Sequence, residues 1–99
     1  MRVSADLPVY YDQLDQSERR RVREEYITLQ KGNCCHCGTP LTGDPAPEIR
    51  KARILWSLFP RGRGFLDHPI HLHHNRTTGL TIGAVHALCN AYLWQYKGE

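Results

Sequence analysis

The placing of its cysteines constrains this chain more than any other feature. Of four cysteines, Cys34, Cys35 and Cys37 crowd into one short stretch and Cys89 stands alone near the other end. That is a poor disulfide framework, and beside six histidines it is a natural metal knuckle. Cys34-x-x-Cys37 followed by Gly38 has the tight-turn spacing of half a tetrahedral zinc site, because two thiolates on one turn reach one ion without backbone strain. His86-x-x-Cys89 supplies the other half. Residues three apart at a helix start lie on one face, so imidazole and thiolate converge. The expected structural zinc site is therefore Cys34, Cys37, His86 and Cys89. Cys35 or His36 could replace a member, although the flanking Gly32 and Gly38 favour Cys34 with Cys37. The plainer reading, a buried core Cys89 and free thiols elsewhere, leaves the crowding unexplained. Such a zinc ties the first helix's exit to the last helix and supplies folding energy that a small core lacks.

A chain of 99 residues makes one domain at the small end of what folds alone. Hydrophobic residues at 40% and charged residues at 23% exclude a disordered segment. No apolar run approaches a membrane span, and no charged-then-apolar leader precedes the rest, so the expected location is the cytoplasm with no membrane partner. The net charge of +3 is mild. Its clustering says more: Arg19, Arg20, Arg21 and Arg23 form one group, Arg50, Lys51 and Arg53 a second, Arg61 and Arg63 a third. Arginine forks suit phosphate oxygens, so the pattern fits a nucleic acid; solvated helix faces, with Glu18, Glu24 and Glu25 partly neutralising the first group, are the plainer alternative.

Residues 1–16 read as an N-terminal arm. A basic helix follows over 17–31, starting at Ser17 or as early as Asp12, with Val22, Tyr26 and Leu29 as its apolar stripe. Gly32 suits the left-handed residue that stops it. The knuckle occupies 32–43. A second helix is predicted with Asp44 as N-cap and Pro45 in its first position, burying Ile49, Ala52, Leu55 or Trp56, and Phe59, and ended by Pro60. After the basic Arg61–Gly64 loop, Phe65–His74 is predicted extended, Asn75–Gly79 a turn and Leu80–Ile82 a short strand. Gly83 then opens the last helix. Residues 65–96 thus read strand, loop, strand, helix, and the fold class is α+β.

His68, His71, His73 and His74 cluster before that turn, and the last helix carries Asn90 beside Cys89. The run His73-His74-Asn75-Arg76-Thr77-Thr78-Gly79, followed by His86-Ala87-Leu88-Cys89-Asn90, resembles the His-Me finger nucleases. Within them it is most similar to the phage recombination endonuclease VII branch of the HNH proteins, over roughly residues 29–94. That branch pairs an early Cys-x-x-Cys with Asp-His-Asp-His-x-Thr-Gly and a helix bearing Cys-x-x-Cys-Asn. This chain has His73 for the leading Asp, Asn75-Arg76 for the second Asp-His pair and His86 for one zinc cysteine, and keeps the essential histidine as His74.

The resemblance implies that 1–99 is a single HNH-type nuclease domain. Its core is a zinc-stabilised ββα-metal (His-Me finger) motif with additional N-terminal helices. It further implies a DNA endonuclease in which His73 and Asn90 hold a catalytic Mg²⁺ or Mn²⁺ and His74 is the general base, leaving 5′-phosphate and 3′-hydroxyl ends. The family is common in phages and prophages, so a phage-encoded enzyme acting in the host cytoplasm is expected. Cutting both strands together calls for a second active site, from a homodimer or a phage-encoded partner protein. Adjacent strand residues point to opposite faces, so the strand must twist or end at His74 for both histidines to serve one site.

Asp67-His68 is a rival Asp-His pair, but it lies too early relative to Thr78-Gly79. His68 and His71 read as solvated or substrate-edge histidines. Arg61 and Arg63 could reach a DNA backbone or merely connect, Arg76 could clamp phosphate or lie on the surface, and Trp56 and Trp94 suit the core. Two other functions compete: a non-catalytic zinc-knuckle nucleic-acid-binding module, and a redox or metal-transfer protein using Cys34, Cys35 and Cys37. The second lacks any thioredoxin-like βαβ pattern.

Overall fold

Two short strands joined by a tight turn hold the centre of the molecule. The computed structural model describes residues 7–59 and 61–98 and, at Arg63, the backbone alone. β1 (Ile70–His74) and β2 (Thr81–His86) pair antiparallel. Around them lie α1 (Gln16–Leu29), α2 (Pro47–Lys51) and α3 (Ala87–Lys97), so the fold is α+β. Val22 and Tyr26 of α1, Leu41, Ile49 of α2, Leu72, Ala84, Val85 and Cys89 close one buried core.

α1 starts and stops on recognisable local chemistry. The Glu18 amide donates to Asp15 Oδ1 at 2.8 Å while the Asp15 amide donates to Glu18 Oε1 at 2.9 Å, a reciprocal capping box that begins the helix at Gln16. At the other end the Gly32 amide reaches back to Ile27 O at 2.9 Å and the Lys31 amide to Thr28 O at 3.1 Å. In this Schellman closure the first left-handed residue is Lys31, at φ 58°, with Gly32 following at φ 79°. The expectation of a helix through Lys31 stopped by Gly32 alone is corrected accordingly.

The expected arm is fastened along its described part. The Thr81 amide donates to Val9 O at 2.8 Å, the Tyr11 amide to Gly79 O at 2.8 Å, and the Val9 amide to Thr81 Oγ1 at 3.0 Å. Tyr26 Oη, 2.9 Å from Thr81 Oγ1, anchors the same threonine from α1. Residues 1–6 of that arm lie outside the described residues.

The second helix departs most from expectation. It begins at Pro47 with Ala46 as N-cap, not at Asp44 and Pro45, and it ends at Lys51. A proline drives the residue before it out of the α region, so Pro47 holds Ala46 out of it, at φ −56° and ψ 152°, and no helix can run through that residue from Pro45. Beyond Lys51, α3 captures the chain in open form. Gln95 Nε2 donates to Arg53 O at 2.9 Å, Tyr96 Oη donates to the same oxygen at 2.6 Å, and the Leu55 amide donates to Gln95 Oε1 at 2.8 Å. Trp56–Leu58 is only a short 3-10 turn, and Pro60, the expected terminator, lies outside the described residues.

Two further corrections fall near the hairpin. Phe65 belongs to a 3-10 helix over Gly62–Leu66, and extended structure begins at Ile70. β2 runs to His86 rather than ending at Ile82, and α3 opens at Ala87 with His86 as its N-cap, not at Gly83. Ala84 and Val85 are 0% and 1% exposed, buried on both faces of the strand. A strand covered on both sides loses the alternation that would mark it in sequence.

Candidate functional site

The knuckle is shaped by its own backbone. The Cys34 amide donates to Thr39 O at 2.8 Å and the Gly38 amide to Cys34 O at 3.1 Å, with Gly38 at φ 83°. This turn aims the amides of His36 and Cys37 at Cys34 Sγ, at 3.4 and 3.5 Å. The Cys35 amide donates to Ala84 O at 2.9 Å and so docks the knuckle on β2. Cys34, Cys37, His86 and Cys89 meet there, their ligand atoms all within 4.8 Å of one another. Thiolates about 2.3 Å from a tetrahedral zinc stand about 3.8 Å apart, so the cluster fits that ion with little contraction.

The imidazole is already oriented for it. His86 Nε2 lies 2.9 Å from Pro40 O, which can only accept, so Nε2 carries the proton. Nδ1 then turns its lone pair toward Cys37 Sγ at 3.5 Å and Cys89 Sγ at 3.7 Å. Cys34 is pushed down to about 3, first because the Cys89 thiol donates to its sulfur, and Cys89 is pushed up by that same bond and by burial. Three sulfurs and a nitrogen gathered this closely, all but the half-buried Cys37 in the interior, can hold a zinc ion. Of the other candidates, Cys35 is exposed and His36 faces Tyr92, with ring centroids 5.9 Å apart.

A second site lies on the hairpin's open side. β1 and β2 keep one register from Ile70↔His86 to His73↔Gly83, then His74 pairs with Thr81 and Ile82 is passed over. This slip falls where the sequence requires the strand to twist or end. His73 turns inward, 3% exposed, and its Nδ1 donates to Asn90 Oδ1 at 3.1 Å. Asn90 Nδ2 donates to His71 Nδ1, also at 3.1 Å. His74, beyond the slip, stacks on Tyr11 with ring centroids 3.9 Å apart and planes 10° apart. Arg19 covers the tyrosine ring at 4.1 Å.

His71, His74 and Asn90 line a cleft of about 650 Å³ together with Arg19, Arg20 and Arg23 of α1, Arg61, Arg76 and His68. No carboxylate lines this cleft among the described residues. Burial, followed by Arg76 and His73, lowers the pKa of His74, and burial pushes His71 down to about 4, so both rings are neutral at pH 7. The Nε of Arg19 is buried with no hydrogen-bond partner among the described residues. Arg76 lies over Trp94 at 5.4 Å. Arg61 pairs with Asp67 across 3.5 Å in solvent. The side chain of Arg63 lies outside the described residues.

Sequence reasoning missed Tyr11; His71, read as a solvated or substrate-edge histidine, lines the cleft. The α1 arginines were visible as a cluster, and the recurrence of Gln16, Arg19, Arg20 and Arg23 at helical spacing was the signal that they share a face. No signal in the sequence places Tyr11 against His74.

No protein-family model, curated protein or solved structure matches the chain. No helix among the described residues is long and apolar enough to cross a membrane.

Proposed function

We propose that the chain is a metal-dependent DNA endonuclease, its β1–β2–α3 unit serving as a His-Me finger (ββα-metal) core of the HNH type beside a structural zinc. The observation that carries this reading is the pairing of His73 with Asn90, with His74 next to it in a cleft of five arginines. His73 Nδ1 and Asn90 Oδ1 stand 3.1 Å apart; with its proton moved to Nε2, the imidazole would turn a lone pair beside the carboxamide oxygen, and the two atoms could then ligate one ion. These two residues would hold a Mg²⁺ or Mn²⁺ ion, which when bound would supply positive charge against the charge developing on the phosphate and the departing 3′ oxygen.

The residues themselves do the rest. Neutral His74 would accept a proton at a ring nitrogen from the attacking water as the new P–O bond forms and the P–O3′ bond breaks; the departing O3′ would take a proton from solvent, leaving a 5′-phosphate and a 3′-hydroxyl. The stack on Tyr11 covers one face of the His74 ring and leaves the nitrogens at its edge. Arg19, Arg20, Arg23, Arg61 and Arg76 hold strand phosphates across the cleft.

A non-catalytic zinc-knuckle nucleic-acid-binding module is the second reading. The burial of His73, at 3% exposure, favours it, because a buried, hydrogen-bonded histidine can serve structure alone. Plasmid relaxation with Mg²⁺ or Mn²⁺ separates the two. The zinc-loaded protein is expected to nick or linearise DNA, and His74→Ala of equal zinc content to lose about 10²–10⁴-fold in rate. DNA binding without cleavage by either protein, with any divalent ion, would establish the binding module instead.

A further inference from the structure

Asn90 stands between two imidazoles, and its carboxamide is chemically lopsided. The oxygen end has lone pairs and can ligate a cation, whereas the nitrogen end has only hydrogens to offer. Oδ1 faces His73 Nδ1 and Nδ2 faces His71 Nδ1, each at 3.1 Å. His71 and His73 share one side of β1 by strand alternation and so flank the same helix residue. A half-turn about the last side-chain bond of Asn90 would exchange the two ends. An imidazole nitrogen accepts or donates according to its tautomer, so the orientation is set by a ring whose tautomer other bonds fix.

His71 breaks the tie. Its backbone is fixed opposite Val85 in the hairpin, and its ring meets Phe65 edge-on, with centroids 4.7 Å apart. The ring also hydrogen-bonds the backbone carbonyls of His68 and Phe65, which can only accept and so claim its N–H; the lone pair left at Nδ1 accepts from an N–H and repels a carbonyl oxygen.

We propose that His71 is a positioning residue that locks the Asn90 carboxamide with its oxygen toward His73, pre-setting the pair to hold a divalent cation. The hydrogen bond stands on its own; its consequence for the cation rests on the endonuclease reading. Each has its own measurement.

The experiment uses the full chain with zinc in its knuckle, Mn²⁺ as probe and His71→Leu in two backgrounds, Asn90 and Asn90→Asp. A carboxylate presents oxygen at both ends, so orientation ceases to matter once Asp stands at position 90. His71→Leu is expected to raise the Mn²⁺ dissociation constant, read by electron paramagnetic resonance, about tenfold beside Asn90 and less than about twofold beside the aspartate. Independently of any second ion, NMR of the zinc-only protein should show one Asn90 side-chain N–H proton shifted downfield and slow to exchange, and His71→Leu should abolish that signature. Equal Mn²⁺ affinity with and without His71, or equal weakening in both backgrounds, overturns the proposal and leaves the endonuclease reading standing. Wild-type protein that shows the N–H signature yet binds no Mn²⁺ beyond the zinc overturns the cation role and that reading together. Matched zinc content and melting temperature guard against a variant that merely misfolds.

Discussion

Gly83→Ala is a small substitution for which the structure predicts a large effect. Glycine inside a strand ordinarily costs about 0.5–1 kcal/mol relative to alanine, so a bystander glycine would be improved by the change. At Gly83 a Cβ would stand 2.7 Å from Gln30 Oε1, 2.9 Å from Cys35 Sγ and 3.0 Å from Cys35 Cβ. Cys35 cannot retreat easily, because its amide is bonded to Ala84 O at 2.9 Å. Gln30 has to leave. That side chain brackets β2, accepting from the Ala84 amide at 2.9 Å and donating to Ala84 O at 2.9 Å and to Asn33 O at 2.7 Å. Three bonds at about 1 kcal/mol each, less the alanine gain, leave a net loss of about 2 kcal/mol. For a domain of this size that lowers the melting temperature by about 10 °C. Thermal and urea unfolding of the zinc-loaded protein measure it, with Gln30→Ala and the double variant completing a cycle. Once Gln30 is gone the alanine should cost less than in the wild-type background, since only its contacts with Cys35 are left to relieve. A Gly83→Ala protein as stable as wild type, or losses that simply add in the double variant, would refute the steric account.

Two more predictions address the metal and the cleft. Stripping zinc with a strong chelator, or Cys89→Ser at a position 0% exposed, should unfold the domain, since apparent zinc-binding energies of about 10 kcal/mol or more match a small domain's whole stability; a metal-free chain that keeps its helical circular dichroism and dispersed NMR spectrum would show the knuckle to be dispensable. Tyr11→Ala should lower kcat for DNA cleavage up to about tenfold with KM unchanged, because a ring stack is worth about 0.5–1.5 kcal/mol. Tyr11→Phe, which keeps the face on His74, should restore the rate, and a Phe variant as slow as the Ala variant would rule out stacking as the cause.

The parts of the fold that could be read in the sequence are those governed by neighbours in the chain. Val22 and Tyr26 of the predicted stripe (Leu29, its third member, is 52% exposed), the helix exit near Gly32, with Lys31 turning first, and the Cys34–Gly38 turn are all local. The second helix shows the cost of applying one local rule and omitting another. Asp44-Pro45 has the composition of a helix start, but the constraint of Pro47 on Ala46 outranks it. The stop at Lys51 was not available locally, since the groups that hold the following segment open, Gln95 and Tyr96, come from the far end of the chain. The length of β2 was hidden for a related reason. Ala84 and Val85 are covered on opposite sides of the strand, so no alternation separates them from the apolar start of α3.

The candidate site divides along the same line. His86 and Cys89 are brought to Cys34 and Cys37 by the start of one helix, and their spacing alone foretells the meeting. What the spacing could not supply is orientation. The proton on His86 Nε2 is fixed by Pro40 O, a carbonyl whose position depends on the knuckle having docked. His74 is a stronger case. Two adjacent strand residues ordinarily diverge, and here the slip past Ile82 sends His73 to Asn90 while His74 faces the arginine cleft. Its stacking partner, Tyr11, arrives through backbone pairing with Gly79, a bond between peptide groups that carries no side-chain signature. Residue identity therefore announces which groups could do chemistry. Which of them face one another is decided by backbone bonds formed over distances that no local pattern records.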